Sequence, residues 1–282
     1  MKHYKEFNIT AEPFIPEILS GLMWELDITG INEEVNCIKV FAAEESTISV
    51  EKTSNQLKKL VAEKMIFNFS IEENLIEDKN WNEEWEKSVR VIEVSEKLVI
   101  KPTFKDYKSK PGQIIITIDP KMSFGTGEHQ TTKLVLQFLE ENEINGIKVL
   151  DIGSGTGILA IAAVKLGAKS AIAVDNDEWC YENGKENCCL NLVDKEVNVK
   201  LGEVKDIPEN NFDLITANIQ KNILLDIAEE IKNRLNRGGL LILSGLLFND
   251  EQDIVKKYSS MNFELVEKKS LDEWIALKMR LL

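Results

Sequence analysis

Cysteine is scarce in this chain of 282 residues, with only Cys37, Cys180, Cys188 and Cys189. None forms a Cys-x-x-Cys pair, and the adjacent Cys188 and Cys189 have neither zinc-ligand nor disulfide-framework spacing. No metal site is therefore expected, and the thiols read as small hydrophobes. No segment approaches the roughly 20 apolar residues that cross a bilayer. The opening residues, Met1-Lys-His-Tyr-Lys-Glu-Phe-Asn8, lack the apolar run of a secretory signal, so the expectation is a cytoplasmic protein with no membrane partner. Positive charge is short as well: 34 Lys and Arg stand against 48 Asp and Glu, a net charge of -14. Broad binding to a phosphate backbone depends on Lys and Arg displacing counterions, so no direct nucleic-acid substrate is expected. An acidic surface favours a basic partner such as a Lys-rich protein, or serves solubility alone.

The chain is longer than one average domain, and its 43% hydrophobic and 29% charged fractions are those of an ordinary globular protein. Residues 1–76 alternate short strand and helix patterns. Tyr4–Thr10, Val35–Ala42, Thr47–Glu51 and Phe67–Ile76 read as strands around helices at Pro13–Leu26 and Ser54–Ile66. That order, β-α-β-β-α-β, predicts a small α+β ferredoxin-like domain. Residues 77–92 read as a linker helix region in which Trp81 and Trp85 share a face at i and i+4. Residues 93–282 then read as an α/β domain. Strands at Lys148–Ile152, Ser170–Val174, Val197–Leu201, Phe212–Ala217 and Leu240–Ser244 alternate with helices, which predicts a doubly wound, Rossmann-like parallel sheet. Phe263–Lys268 and Trp274–Arg280 are placed to add a terminal antiparallel hairpin, making seven strands.

Asp151-Ile-Gly-Ser-Gly-Thr-Gly157 falls where a strand ends and a helix begins. Gly153, Gly155 and Gly157 there let backbone approach a ligand at the carboxyl edge of the sheet. A dinucleotide fingerprint, Gly-x-Gly-x-x-Gly, fails because its third position is Ile158, and no Gly-x-x-x-x-Gly-Lys-Ser/Thr loop is present. A plain tight turn does not account for Asp175, which ends the next strand and is placed to accept hydrogen bonds from both ribose hydroxyls. Together the loop and Asp175 point to S-adenosylmethionine as cofactor and to a methyltransferase. Asp206, after the third strand, reads either as a neighbour of the adenine or as a plain surface loop. Asn218 follows the fourth strand and opens on the same crevice. Its side chain suits an incoming amine, oriented for attack, or caps the next helix.

Upstream, Pro120-Lys-Met-Ser-Phe-Gly-Thr-Gly-Glu-His-Gln-Thr-Thr132 is a second glycine-containing loop leading into a helix. This segment resembles the Phe-Gly-Thr-Gly-x-His-x-Thr-Thr run of the bacterial ribosomal protein L-eleven methyltransferase (PrmA) family. The likeness extends to Trp81 and Trp85, Lys97–Pro102, the glycine loop, Ala217–Ile219 and Gly238–Gly245. It implies a class I S-adenosylmethionine-dependent methyltransferase that modifies α-amino and lysine ε-amino groups of ribosomal protein L-eleven, free or in the large subunit. The alternative is a related methyltransferase acting on another protein lysine or a small amine. By the same resemblance Thr132, Gly153, Gly155, Gly157, Asp175, Asn218 and Phe124 belong to the cofactor site, with Asn218 also catalytic. Residues 1–76 would then recognise the substrate, and a monomer is expected. His129 reads either as a hydrogen-bonding element of the loop or as a proton carrier. The chain departs from many members at Gln220 and Asn222, where Leu and Pro are usual.

Overall fold

In strand β1 (His3–Glu12), Phe7 and Ile9 are buried on one face, and in β3 (Ile38–Ala43) Ile38, Val40 and Ala42 repeat the alternation. This two-residue period turns one side of an antiparallel sheet toward helices α1 (Pro16–Met23) and α2 (Val50–Ala62). Leu19, Met23, Leu57 and Leu60 complete that core. With β2 (Gly30–Glu33) and β4 (Asn68–Glu77), the sheet order is β2-β3-β1-β4, every pairing antiparallel. The order β-α-β-β-α-β in this sheet is a split β-α-β arrangement.

The computed structural model describes residues 3–77, 89–119, 121 and 123–282. The chain divides into two compact units, Met1–Trp85 and Glu86–Leu282. Trp81 and Trp85 of the expected linker helix lie outside the described residues. Thr47–Glu51, expected as a strand, is instead the entry to α2. The Ser49 hydroxyl accepts from the Lys52 amide at 3.3 Å and caps the helix, while Ile48 alone turns into the core. The second strand lies earlier, at Gly30–Glu33, in a hairpin with β3. Residues 34–37 form its turn, with the Glu34 amide donating to the Cys37 carbonyl at 2.9 Å.

The second unit opens with a three-stranded sheet of β5 (Ile92–Glu93), β6 (Leu98–Lys101) and β7 (Ile114–Thr117). The principal sheet contains β8 (Lys148–Ile152), β9 (Ser170–Asp175), β10 (Val197–Leu201), β11 (Phe212–Asn218), β12 (Leu235–Leu247), β13 (Phe263–Leu271) and β14 (Trp274–Leu281). Its order is β10-β9-β8-β11-β12-β14-β13. The first five strands in that order are parallel. The last strand inserts antiparallel between β12 and β13, in the hairpin expected from the sequence.

Successive residues of the central strands feed different layers. Val149, Ala171 and Ala173 face α3 (Gln130–Glu141), α4 (Ile158–Lys165) and α5 (Glu178–Leu190). Leu150, Ile172 and Val174 face α6 (Lys221–Asp226), α7 (Ala228–Arg234) and α8 (Glu251–Ser259). Every residue from Ile158 to Ala163 is buried, so α4 has almost no polar face and lies deep in its layer. Cys188 belongs to the same core, and burial pushes its thiol up to about 12. The chain reverses direction across the sheet between β8 and β11, which opens a crevice at their carboxyl ends.

At that edge Gly245 has φ of +81°, and a Cβ there would lie 2.6 Å from the Ile219 carbonyl oxygen and 2.9 Å from its carbon. Gly245→Ala is expected to destabilise the unit by more than about 1 kcal/mol, or at least about 2 to 4 °C in Tm for a unit of this size. Thermal denaturation followed by circular dichroism checks this, and a midpoint equal to that of the parent chain would contradict the close approach.

Candidate active site

Two positions in the glycine loop admit no side chain. The Gly153 amide donates to the Val174 carbonyl at 2.9 Å, and the Gly155 amide donates to Asp175 Oδ2 at 2.8 Å. Both residues have positive φ, +67° and +54°. A Cβ on Gly153 would overlap the Ile219 side chain, and one on Gly155 would overlap the Phe124 carbonyl oxygen. Two other elements thus close directly on the loop, which only glycine permits. Gly157 does different work: it is the N-cap of α4 in a left-handed conformation and packs against Gly184 of α5, away from the crevice.

The upstream loop is clamped onto the first. Thr156 donates from its amide to the Phe124 carbonyl at 2.9 Å and from its hydroxyl to the Gly125 carbonyl at 2.7 Å. Asn187, fully buried on α5, donates to the Thr156 carbonyl at 3.0 Å and accepts from the Asp119 amide at 2.9 Å. One turn later Asn191 accepts from the Thr117 amide at 2.9 Å and donates to its carbonyl at 2.6 Å. The two asparagines bind the end of β7 as a neighbouring strand would.

His129 caps α3. Its Nδ1 accepts from the Thr131 amide at 3.3 Å and lies 2.8 Å from the Thr131 hydroxyl, and its ring stands between Phe124 and Trp274. Thr132 is buried beneath the crevice and accepts from Asn218 Nδ2 at 3.4 Å. Thr131 lines the cavity instead. Asn218 ends β11, and its Oδ1 is buried with no hydrogen-bond partner, a vacancy that costs stability until a donor fills it. Asp206 turns back to accept from the Glu203 amide at 2.9 Å, so it belongs to a surface turn.

Two adjoining cavities occupy the crevice and share Gly153, Asp175, Asn176, Ile219 and Ile223. The first, of about 340 Å³, is an apolar slot between Ile152, Val174, Val204 and Ile227, with Glu203 and Asp226 at its margin. The second, of about 450 Å³, is bounded by Gly155, Asn218, Gln220 and Gly245, with Phe124, His129 and Trp274 along one side. Asp175 sits between them, each carboxylate oxygen already held by a backbone amide, of Gly155 or Asp177. Among the described residues no Lys or Arg lines either cavity.

These residues fit S-adenosylmethionine. A flat apolar slot suits the base and a carboxylate at its mouth suits a ribose diol. A glycine cradle that a Cβ would fill, an unpaired acceptor and acidic walls without basic residues suit the cationic end. Among the described residues no cluster of His, Cys, Asp and Glu is arranged to hold a metal ion. Gln220 lines the second cavity, whereas Asn222 lies in α6. Sequence reasoning left Trp274 as a strand residue and assigned nothing to Asn187 or Asn191, because side-chain amides that replace a strand leave no periodic trace.

The strand order, the glycine loop after β8 and the acid ending β9 define a class I S-adenosylmethionine-dependent methyltransferase. Residues 21–281 match the family of ribosomal protein L11 methyltransferases (PrmA), and the chain belongs to that family. A relative from Porphyromonas gingivalis, named ribosomal protein L11 methyltransferase, is 34% identical over 93% of this chain and 89% of its own length. One of the same name from Acetivibrio thermocellus is 38% identical over 73% of this chain and 66% of its own length. The crystal structure of a ribosomal protein L11 methylase from Lactobacillus delbrueckii subsp. bulgaricus matches 68% of this chain and 99% of its own. Its TM-score is 0.65 at 34% identity.

Asp151, next to the cavity-lining Ile152 on β8, is fully buried. Thr216 donates its hydroxyl to Oδ1 at 2.7 Å, and Oδ2 has no partner. Burial pushes the carboxyl from the ordinary 3.8 up to about 7, against the opposing Thr216 hydrogen bond. A carboxyl raised in the folded state stabilises fully below its unfolded value, and that contribution is lost as pH rises through about 7. Asp151→Asn, neutral throughout, is expected to gain roughly 3 kcal/mol relative to the parent chain between pH 4.5 and 7.5, at about 1.36 kcal/mol per pKa unit. Urea unfolding of the ligand-free proteins at both pH values measures this, and an equal difference at both would exclude a raised Asp151.

Proposed function

We propose that this chain transfers methyl groups from S-adenosylmethionine to α-amino and lysine ε-amino groups of ribosomal protein L11, free or in the large subunit, in the cytoplasm. The observation that carries the chemistry is the unpaired, buried Oδ1 of Asn218 at the carboxyl end of β11. Family membership and the names of its relatives support the choice of protein. A protein acceptor rather than a nucleic acid also agrees with the net charge of -14 and with the absence of Lys and Arg among the described residues of the cavity walls.

The cofactor supplies a methyl carbon already activated by its sulfonium. Asn218 Oδ1, left without a partner while Nδ2 donates to the Thr132 hydroxyl, accepts an N–H of the amine and turns its lone pair inward. Holding a lysine neutral at pH 7 costs roughly 4 to 5 kcal/mol for a pKa of about 10.4, and a neighbouring cation together with desolvation lowers that cost. Asp175 orients the ribose and Gly153 and Gly155 admit the cofactor backbone. The first unit, which exposes Trp24, Val35 and Phe67, recruits the protein substrate. The acting species is a monomer.

Incubation with labelled S-adenosylmethionine and the separated large-subunit proteins, followed by mass spectrometry, tests the assignment; label on a protein other than L11, or on none, would overturn it. Asn218→Ala is expected to lower kcat about 100-fold, the scale of a misplaced reacting group, with a much smaller change in cofactor affinity. Equal turnover at saturating cofactor would remove Asn218 from catalysis. Asp175→Ala should weaken cofactor binding about 10-fold to 100-fold, the scale of charge-assisted hydrogen bonds. Unchanged affinity by calorimetry would take Asp175 out of the ribose site.

A further inference from the structure

The acceptor side of the cavity has an aromatic wall. Trp274 opens β14 and meets the His129 ring edge-on, with centroids 4.8 Å apart at 67°, and Phe124 lies 5.4 Å beyond His129. Asn218 pairs with Ser244 on β12, whose hydroxyl donates to the Ile275 carbonyl at 3.0 Å. Trp274 itself pairs with Leu247, further along β12 than Ser244, so its backbone lies two strands across and about three residues along from Asn218, roughly 14 Å, and its side chain is on the rim of the same cavity. His129 Nδ1 accepts from the Thr131 amide, so the neutral ring carries its proton on Nε2. The ring packs between the indole and Phe124, edge-on to the former.

Accepting the function proposed above, we propose that Trp274 is the residue that selects for amines already carrying methyl groups, by cation–π contact with the N-methylated ammonium. In each transfer the nitrogen lone pair forms the N–C bond as the C–S bond breaks. The electron pair stays on sulfur, and the amine leaves as a cation that must lose a proton to water before the next round. Each methyl replaces one N–H. The hydrogen bond to Asn218 Oδ1 has fewer donors to draw on, while the cation becomes larger and less hydrated and suits an indole face better. Once the methyl has left, the sulfur is neutral, and with the Asp175 carboxylate present and no Lys or Arg among the described lining residues the product cation is unopposed.

The direct test uses choline and its neutral isostere 3,3-dimethylbutanol, titrated by ligand-observed NMR into the full chain with S-adenosylhomocysteine present. The parent chain is expected to bind choline at least about fivefold more tightly, about 1 kcal/mol. Trp274→Phe should keep most of that preference and Trp274→Ala should abolish it. Equal binding of the two probes to the parent chain, or an undiminished preference in Trp274→Ala, would overturn the proposal. In turnover, the ratio of trimethylated to monomethylated product should fall at least about fivefold in Trp274→Ala and recover in Trp274→Phe; an unchanged ratio is a refutation. A loss of S-adenosylhomocysteine affinity equal to the loss for choline would assign the indole to the cofactor and overturn it likewise. A parent chain that methylates no ribosomal protein defeats the function proposed above, and the choline preference still decides the role of Trp274.

Discussion

Thr156 binds three parts of the second unit at one point. Its amide and hydroxyl reach the carbonyls of Phe124 and Gly125, and its carbonyl receives the amide of Asn187. Thr156 and Asn187 are fully buried, so their polar groups would be costly to leave unpaired, and these bonds fix two loops and a helix against one another. The absence of a side chain at Gly155 lets the Phe124 carbonyl come close enough for the bond. A ligand entering the crevice thus finds both walls standing, and less of its binding free energy is consumed in ordering them.

Much of this was legible beforehand for a physical reason. A doubly wound sheet announces itself through alternation of strand and helix, and the glycine loop and Asp175 depend on backbone geometry that few residues permit. What was not legible has equally specific causes. Thr47–Glu51 has the composition of a strand, but a serine cap decides its conformation and only Ile48 of the pattern is buried. Gly157 shares the loop's spacing with Gly153 and Gly155 and yet serves the helix. Thr132 accepts a hydrogen bond from Asn218 while Thr131 lines the cavity, a distinction of one helical position. Trp274 is far from the motifs in sequence and arrives beside them through the insertion of β14 between β12 and β13, a pairing that local pattern does not encode.

Two carboxylates one strand apart show how closely environment separates like groups. Asp151 is enclosed, receives one hydroxyl and is driven toward its neutral form by desolvation. Asp175 stands at the sheet edge, braced by two backbone amides, with lone pairs left for a visitor. The first costs stability near neutral pH. The second stands at the margin of both cavities. Neither role follows from residue type, and both follow from how far along a strand each residue sits.

The paired amides of Asn187 and Asn191 have a further consequence for how the second unit finds its alignment. An apolar contact between a helix and a strand tolerates sliding, since one methyl group replaces another at little cost. A side-chain amide is uncharged, offers donor and acceptor together, and matches the spacing of a peptide group. Two of them, four residues apart, lock α5 to β7 at a single offset. Slippage by even one residue would strand several polar groups in a dry interior. The helix that carries the edge of the cavity at its beginning is thereby indexed, like a tooth in a rack, by its end.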